Sequence, residues 1–203
     1  RELLARGAHC NAGGINRERP LHIALKEHDE LILSVLLQRQ NLRIEAIDAL
    51  GNMALHCAAL CIGMEPTIVQ EVIARTPANE INAQNEKGDT ALSIAIRARN
   101  ESFALALLAR PEIDLSLCDT EGNSPLHIAA AIANPLLSQG LIAALVTRAD
   151  ERALNEQQAL EPRDTALIIA IRHNNIGFVQ RLLAHRSLLP NFPDTTRKTP
   201  LHI

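Results

Sequence analysis

The sequence predicts an all-α solenoid: short helix–turn–helix repeats, stacked in order and joined by hairpin loops. Three observations predict it: a motif that returns six times in phase, helix-start residues fixed within that motif, and a leucine-type apolar pair preceding each copy. The copies are RPLHIAL from Arg19, MALHCAA from Met53, TALSIAI from Thr90, SPLHIAA from Ser124, TALIIAI from Thr165 and TPLHI from Thr199. Their leucines, Leu21, Leu55, Leu92, Leu126, Leu167 and Leu201, are separated by 34, 37, 34, 41 and 34 residues. A step of about 33 with this motif marks stacked helical hairpins. Each such repeat buries its apolar face only against its neighbours, so the product is a long surface suited to macromolecular partners.

The first helix of each repeat is expected to begin inside the motif. Pro20, Pro125 and Pro200 stand at the first helical position, where the missing N–H costs nothing. Thr90, Ser124, Thr165 and Thr199 precede that position and are expected to act as N-caps. Two residues earlier, Gly51, Gly88 and Gly122 suit a tight turn with positive φ. The second helix is read in LLARGA from Leu3, LILSVLLQR from Leu31, FALALLAR from Phe103 and FVQRLLAHR from Phe178. A basic residue follows each apolar pair (Arg6, Arg39, Arg75, Arg110, Arg148, His185), where it is expected to offset the negative end of its own helix dipole.

Both halves of this pattern resemble the ankyrin-repeat family over the whole chain. The fit to D-x-x-G-x-T-P-L-H-x-A-A is plainest in DTEGNSPLHIAA from Asp119 and NEKGDTALSIAI from Asn85. The resemblance implies an ankyrin-repeat solenoid, a stack of helix–turn–helix repeats with β-hairpin loops. It divides the chain into a partial repeat over 1–13, repeats at about 14–47, 48–84, 85–118, 119–159 and 160–193, and a partial repeat over 194–203. Both ends fall inside a repeat, so a segment of a longer array is expected.

The repeats are unequal. The second and fourth carry two and four extra residues between their helices, around Gly63 to Pro66 and Asn134 to Gly140. Those insertions are expected to project from the edge opposite the hairpins and to leave the helix stacking intact, because loop closure costs little per added residue. Steps between alternate motif leucines are 71, 71, 75 and 75, so the unit of the array reads as a pair of repeats. The fifth repeat departs further, with Arg163 where a glycine is usual and a lengthened connection from Asn155 to Pro162.

Composition narrows the function. Net charge is −3 and aromatics are 1%, which leaves neither a basic footprint nor a stacking platform for nucleic acid. The uncharged stretch from Gly122 to Thr147 is broken by Pro125, Pro135 and Gly140, and reads as a buried repeat rather than a membrane span. Four cysteines give no disulfide framework and suit a reducing, cytoplasmic setting. His22, His56, His127 and His202 lie one repeat apart, where the resemblance implies bonding to backbone rather than metal ligation. Cys57 and Cys61, beside His56, lack the tight knuckle and second pair of a zinc site. No cofactor or metal is expected, nor catalysis within this segment.

A protein-binding scaffold is therefore expected, with the partner on the concave face that the resemblance assigns to hairpin tips and first helices. The alternative is a targeting module of a larger enzyme, such as a bacterial effector acting in a host cytoplasm. A purely structural spacer or oligomerisation surface is the third reading. The expected contact residues are Leu50, Asn52, Leu60 and Cys61 of the second repeat with Glu86, Lys87, Asp89 and Arg97 of the third. Apolar residues at normally solvated positions inside a polar rim are the usual anatomy of an interface. Left open is the competing expectation that Leu60 and Cys61 turn inward because the inserted turn extends the first helix.

Overall fold

A computed structural model describes residues 9–132, 136–161 and 163–203. The chain divides into two compact units, Arg1–Leu107 and Leu108–Ile203. The expected helix end at Arg1 to Ala8, including Arg6, lies outside the described residues, as do Asn134, Pro135 and Pro162.

The first unit holds three helical hairpins: α1 (Pro20–Lys26) with α2 (Glu30–Leu37), α3 (Ala54–Ala59) with α4 (Pro66–Arg75), and α5 (Ala91–Ala98) followed by α6 (Glu101–Leu108), whose last residue begins the second unit. First helices pack on first helices, α1 on α3 and α3 on α5, while α2 packs on α4. The motif leucines Leu21, Leu55 and Leu92 are buried between these layers. Small residues, among them Ala58, Ala59 and Ala95, let the backbones approach closely.

The second unit repeats the scheme with α7 (Pro125–Ala131), α8 (Gln139–Arg148), a short α9 (Glu151–Asn155), α10 (Ala166–Arg172) and α11 (Ile176–Leu183). Here α7 packs on α10 and α8 on α11. The short α9, capped by the Asp150 side chain, ends at Asn155, where the lengthened connection to the fifth repeat begins. An isolated antiparallel bridge between Gln157 and Thr165 is the extended pairing assigned among the described residues.

The motif histidines cap their own helices and tie each hairpin to the next. The amides of Arg19, Met53 and Ser124 donate to Nδ1 of His22, His56 and His127 at 3.2, 3.0 and 3.1 Å. With Nδ1 accepting, the proton sits on Nε2. That nitrogen donates to the carbonyls of Asn52, Ala83 and Glu156 at 3.1, 3.0 and 2.9 Å. Burial holds all three imidazoles below the ordinary histidine value, His127 down to about 4. Where the histidine is replaced by Ser93 or Ile168, the Thr90 and Thr165 side chains accept the first-turn amides, as expected. Ser124 does not cap in that way: its Oγ lies 2.8 Å from His127 Nδ1, because the imidazole occupies the capping position.

One further expectation is extended and another needs correction. Arg75 and Arg148 stand in the last turn of their own helices, as expected, and also reach the preceding repeat. Arg75 Nη1 donates to the Arg39 carbonyl (3.0 Å), and Arg148 donates to the Leu108 and Arg110 carbonyls (3.0 and 3.1 Å). A guanidinium has enough length and donors to satisfy orphan carbonyls on the neighbouring hairpin. The inserted stretches do not simply project: Met64 and Leu137 within them are buried. They do not lengthen the second helices, because α4 and α8 begin six residues before Val72 and Leu145, just as α2, α6 and α11 begin six before Leu36, Leu107 and Leu182. The two extra residues of α4 and α8 lie at their C-terminal ends.

Asn100 and Asn175 are buried links that the motif does not announce. Each caps a second helix through its Oδ1 and donates its amide to the end of the preceding repeat's first helix. Asn100 reaches the Ala59 and Cys61 carbonyls at 3.2 and 3.1 Å, and Asn175 reaches that of Ile132 at 2.9 Å.

Candidate functional site

The hairpin preceding α3 is fixed by one carboxylate. Asp48 Oδ1 accepts the amides of Leu50 and Asn52, both at 2.9 Å, and its Oδ2 accepts from the Asn52 side chain at 3.2 Å. Asn85 repeats the device before α5, accepting the amides of Lys87 and Asp89 at 2.9 and 3.0 Å. The two tips are joined directly: the Glu86 amide donates to the Leu50 carbonyl (3.1 Å), and the Asn85 side chain donates to Asn52 Oδ1 (2.9 Å). Gly51 completes the turn at φ 73°.

Between these tips and the ends of α3 and α5 lies an open groove of about 650 Å³. It is lined by Leu50, Asn52, Leu60, Asn85, Glu86, Lys87, Asp89, Ile94, Arg97 and Ala98. Leu50 is 58% exposed and Leu60 57%, while Ile94 is half-buried. Seven of the eight residues expected from the sequence meet here.

Cys61 does not. It is 2% exposed, and its thiol donates to the Leu25 carbonyl at 3.0 Å and the Cys57 carbonyl at 3.2 Å. The first helix ends at Ala59, so it is not extended. The bend after it turns Leu60 outward and Cys61 into the core. Burial pushes the thiols of Cys57 and Cys61 up to about 12 and about 11, which makes both poor nucleophiles and poor metal ligands. Among the described residues no cluster of metal-ligating side chains is found.

Ile94 and Asn85 line the groove and escaped the sequence reading. Asn85 had a signal: it stands seven residues before its motif leucine, as Asp48, Asp119 and Asp194 do. Ile94 carries none, because its position in the motif is filled by apolar residues throughout.

The groove's charges are partly spent. Arg97 is ion-paired with Asp89 across the floor. On the neighbouring repeat, Lys26 pairs with Glu18 and with Asp48 (3.3 Å). Burial opposes the Lys26 charge, yet these two carboxylates hold its pKa above the ordinary value. Burial likewise raises Asp48, but hydrogen bonds from Asn52, Leu50 and Lys26 outweigh it and leave its pKa low. At such exposure each pair contributes at most about 1 kcal/mol.

Comparison with known proteins agrees with the stacked-hairpin fold. Residues 60–142 match the family model for ankyrin repeats in three copies. The chain is 33% identical over 132 residues to the nuclear factor NF-kappa-B p105 subunit of Gallus gallus, covering 64% of this chain and 13% of that protein. It is 28% identical over 174 residues to the B-cell lymphoma 3 protein homolog of Mus musculus, covering 83% of this chain and 36% of the relative. The chain therefore spans about an eighth of the p105 relative's length. The crystal structure of the ankyrin repeat domain of Bcl-3 superposes with a TM-score of 0.74 at 22% identity, covering 99% of this chain and 84% of that one. Among the described residues no helix is long and apolar enough to cross a membrane. Phased motifs, stacked hairpins and these matches agree: residues 60–142 are ankyrin repeats, and the chain has the ankyrin-repeat fold.

Proposed function

We propose that this chain is a binding scaffold whose protein partner docks in the groove of the second and third repeats. The carrying observation is the convergence of two exposed leucines, Leu50 and Leu60, on one concavity edged by Glu86, Lys87 and the Asp89–Arg97 pair. An apolar centre within a polar rim is what a docking site needs, and central residues carry most of the energy of such contacts. The concave faces of stacked repeats serve as extended binding surfaces, which supports the same choice of face.

We place the interaction in the cytoplasm. The four cysteines are free, with Cys10, Cys57 and Cys61 buried, an arrangement suited to a reducing compartment.

The test is affinity for a captured partner. Leu50→Asp and Leu60→Asp should each weaken binding by more than about 1 kcal/mol while leaving the unfolding midpoint in place. Unchanged affinity in both variants would overturn the reading.

A further inference from the structure

We propose that the partner fills this groove with an α-helix bearing an apolar stripe, not with an extended strand. The inference rests on the groove being the contact site and names what enters it. An extended segment binds a hairpin edge by main-chain hydrogen bonding, and needs free backbone donors as well as acceptors. The groove's edge offers no donors. The amide of Ala49 donates to the Asn16 carbonyl (2.7 Å), and those of Leu50 and Asn52 to Asp48 Oδ1. The Gly51 amide donates to the Asp48 carbonyl, and the Met53 amide to His56 Nδ1. The second tip is spent in the same way. The amides of Lys87 and Asp89 serve Asn85 Oδ1, those of Glu86 and Gly88 serve the Leu50 and Asn85 carbonyls, and that of Asn85 serves the Asp89 carbonyl. From 49 to 53 and from 85 to 89, every N–H is committed within the scaffold.

A strand laid along these tips would leave its own carbonyls without partners as water left the interface, at a cost for each group. A helix arrives with its main chain already satisfied and presents only side chains. Its apolar stripe matches what the groove presents: Leu50 and Leu60 exposed, with Ile94 half-buried beside them. Charge fixes the flanks. Arg97 is neutralised by Asp89, whereas Glu86 and Lys87 make no ion pair among the described residues. A base beside the stripe would meet Glu86 and an acid would meet Lys87, a one-plus-one pattern that a helix surface supplies on either side of its apolar face.

The experiment pans the 203-residue chain against two display libraries of equal diversity. One randomises the exposed face of a stable two-helix scaffold; the other is a linear peptide library held extended by alternating β-branched residues. Binders are then re-measured on Leu50→Asp and Leu60→Asp. Helical binders that lose at least tenfold in affinity on both variants, with no such binders from the extended library, are expected. Extended binders sensitive to both leucines, without helical ones, would overturn the helix and keep the groove. Binders from both libraries indifferent to both substitutions would overturn the groove itself.

Discussion

Repeats two and four are built alike and lined differently. Each carries a motif histidine, His56 or His127, bonded to the N-cap amide on one side and the next hairpin on the other. Each has a ten-residue second helix. Asn52 and Asn123 stand at the same point of the hairpin, and each repeat is followed by an aspartate–arginine pair, Asp89–Arg97 or Asp164–Arg172. Yet where repeat two places Leu50 and Leu60, repeat four places Glu121 and Ala131, all of them exposed. The scaffold thus accepts a charge and a methyl group at the very positions where repeat two holds leucines. Repeat four keeps the fold without those leucines, which supports the docking role proposed for Leu50 and Leu60.

The comparison can be broken hardest at the glycines of the two hairpins. Gly51 and Gly122 share positive φ, at 73° and 80°. A Cβ on Gly51 would lie 3.1 Å from the Glu86 nitrogen, but one on Gly122 would lie 2.5 Å from the Ala159 nitrogen. Left-handed strain applies to both; backbone overlap applies to Gly122 alone. Chemical denaturation should therefore show Gly122→Ala losing about 3 kcal/mol and Gly51→Ala about 1 to 2. Equal losses would mean that the two hairpins are not packed as described.

Acid comes next. His127 is neutral when folded, with its pKa lowered by burial to about 4 from 6.5. A lowered histidine pKa means that the unfolded chain takes up protons first. The full stability contribution is present above about pH 6.5 and is lost as pH falls towards 4. At 1.36 kcal/mol per pH unit this amounts to about 3 kcal/mol, and His22 and His56 act in the same direction. Giving repeat four the chemistry of repeat five, with Ser124→Thr and His127→Ile, should flatten the fall measured by urea titrations between those pH values. An unchanged slope would show that other groups drive it.

A smaller loss is expected at Asn100. Asn100→Ala removes two bonds to the end of α3 and the cap of α6, and should cost about 2 kcal/mol. A change below about 0.5 kcal/mol in denaturation would show that these bonds contribute little.

The architecture was legible because each structural need repeats. Motif leucines, helix-start prolines and turn glycines recur in phase, and one copy vouches for another. What failed to show was what lies between repeats. Asn100 is a buried staple that no sequence motif announces, since a sequence says nothing of the carbonyls left open on the preceding hairpin. Arg75 and Arg148 stand at the helix ends the sequence assigned them, but their bonds to the preceding repeat were not legible for the same reason. Leu60 and Cys61 are adjacent and both apolar, and only the bend after Ala59 decides which one faces out. The groove itself was readable because its apolar residues break the polar rule of their positions.

The most direct measurement converts the groove of repeat two into its counterpart. A Leu50→Glu, Leu60→Ala double variant copies repeat four, and its stability is read beside its affinity for the captured partner. The unfolding free energy should stay within about 1 kcal/mol of the parent, and binding should weaken by at least about 2 kcal/mol. Retained affinity in a folded variant would contradict the assignment of the partner site to this groove.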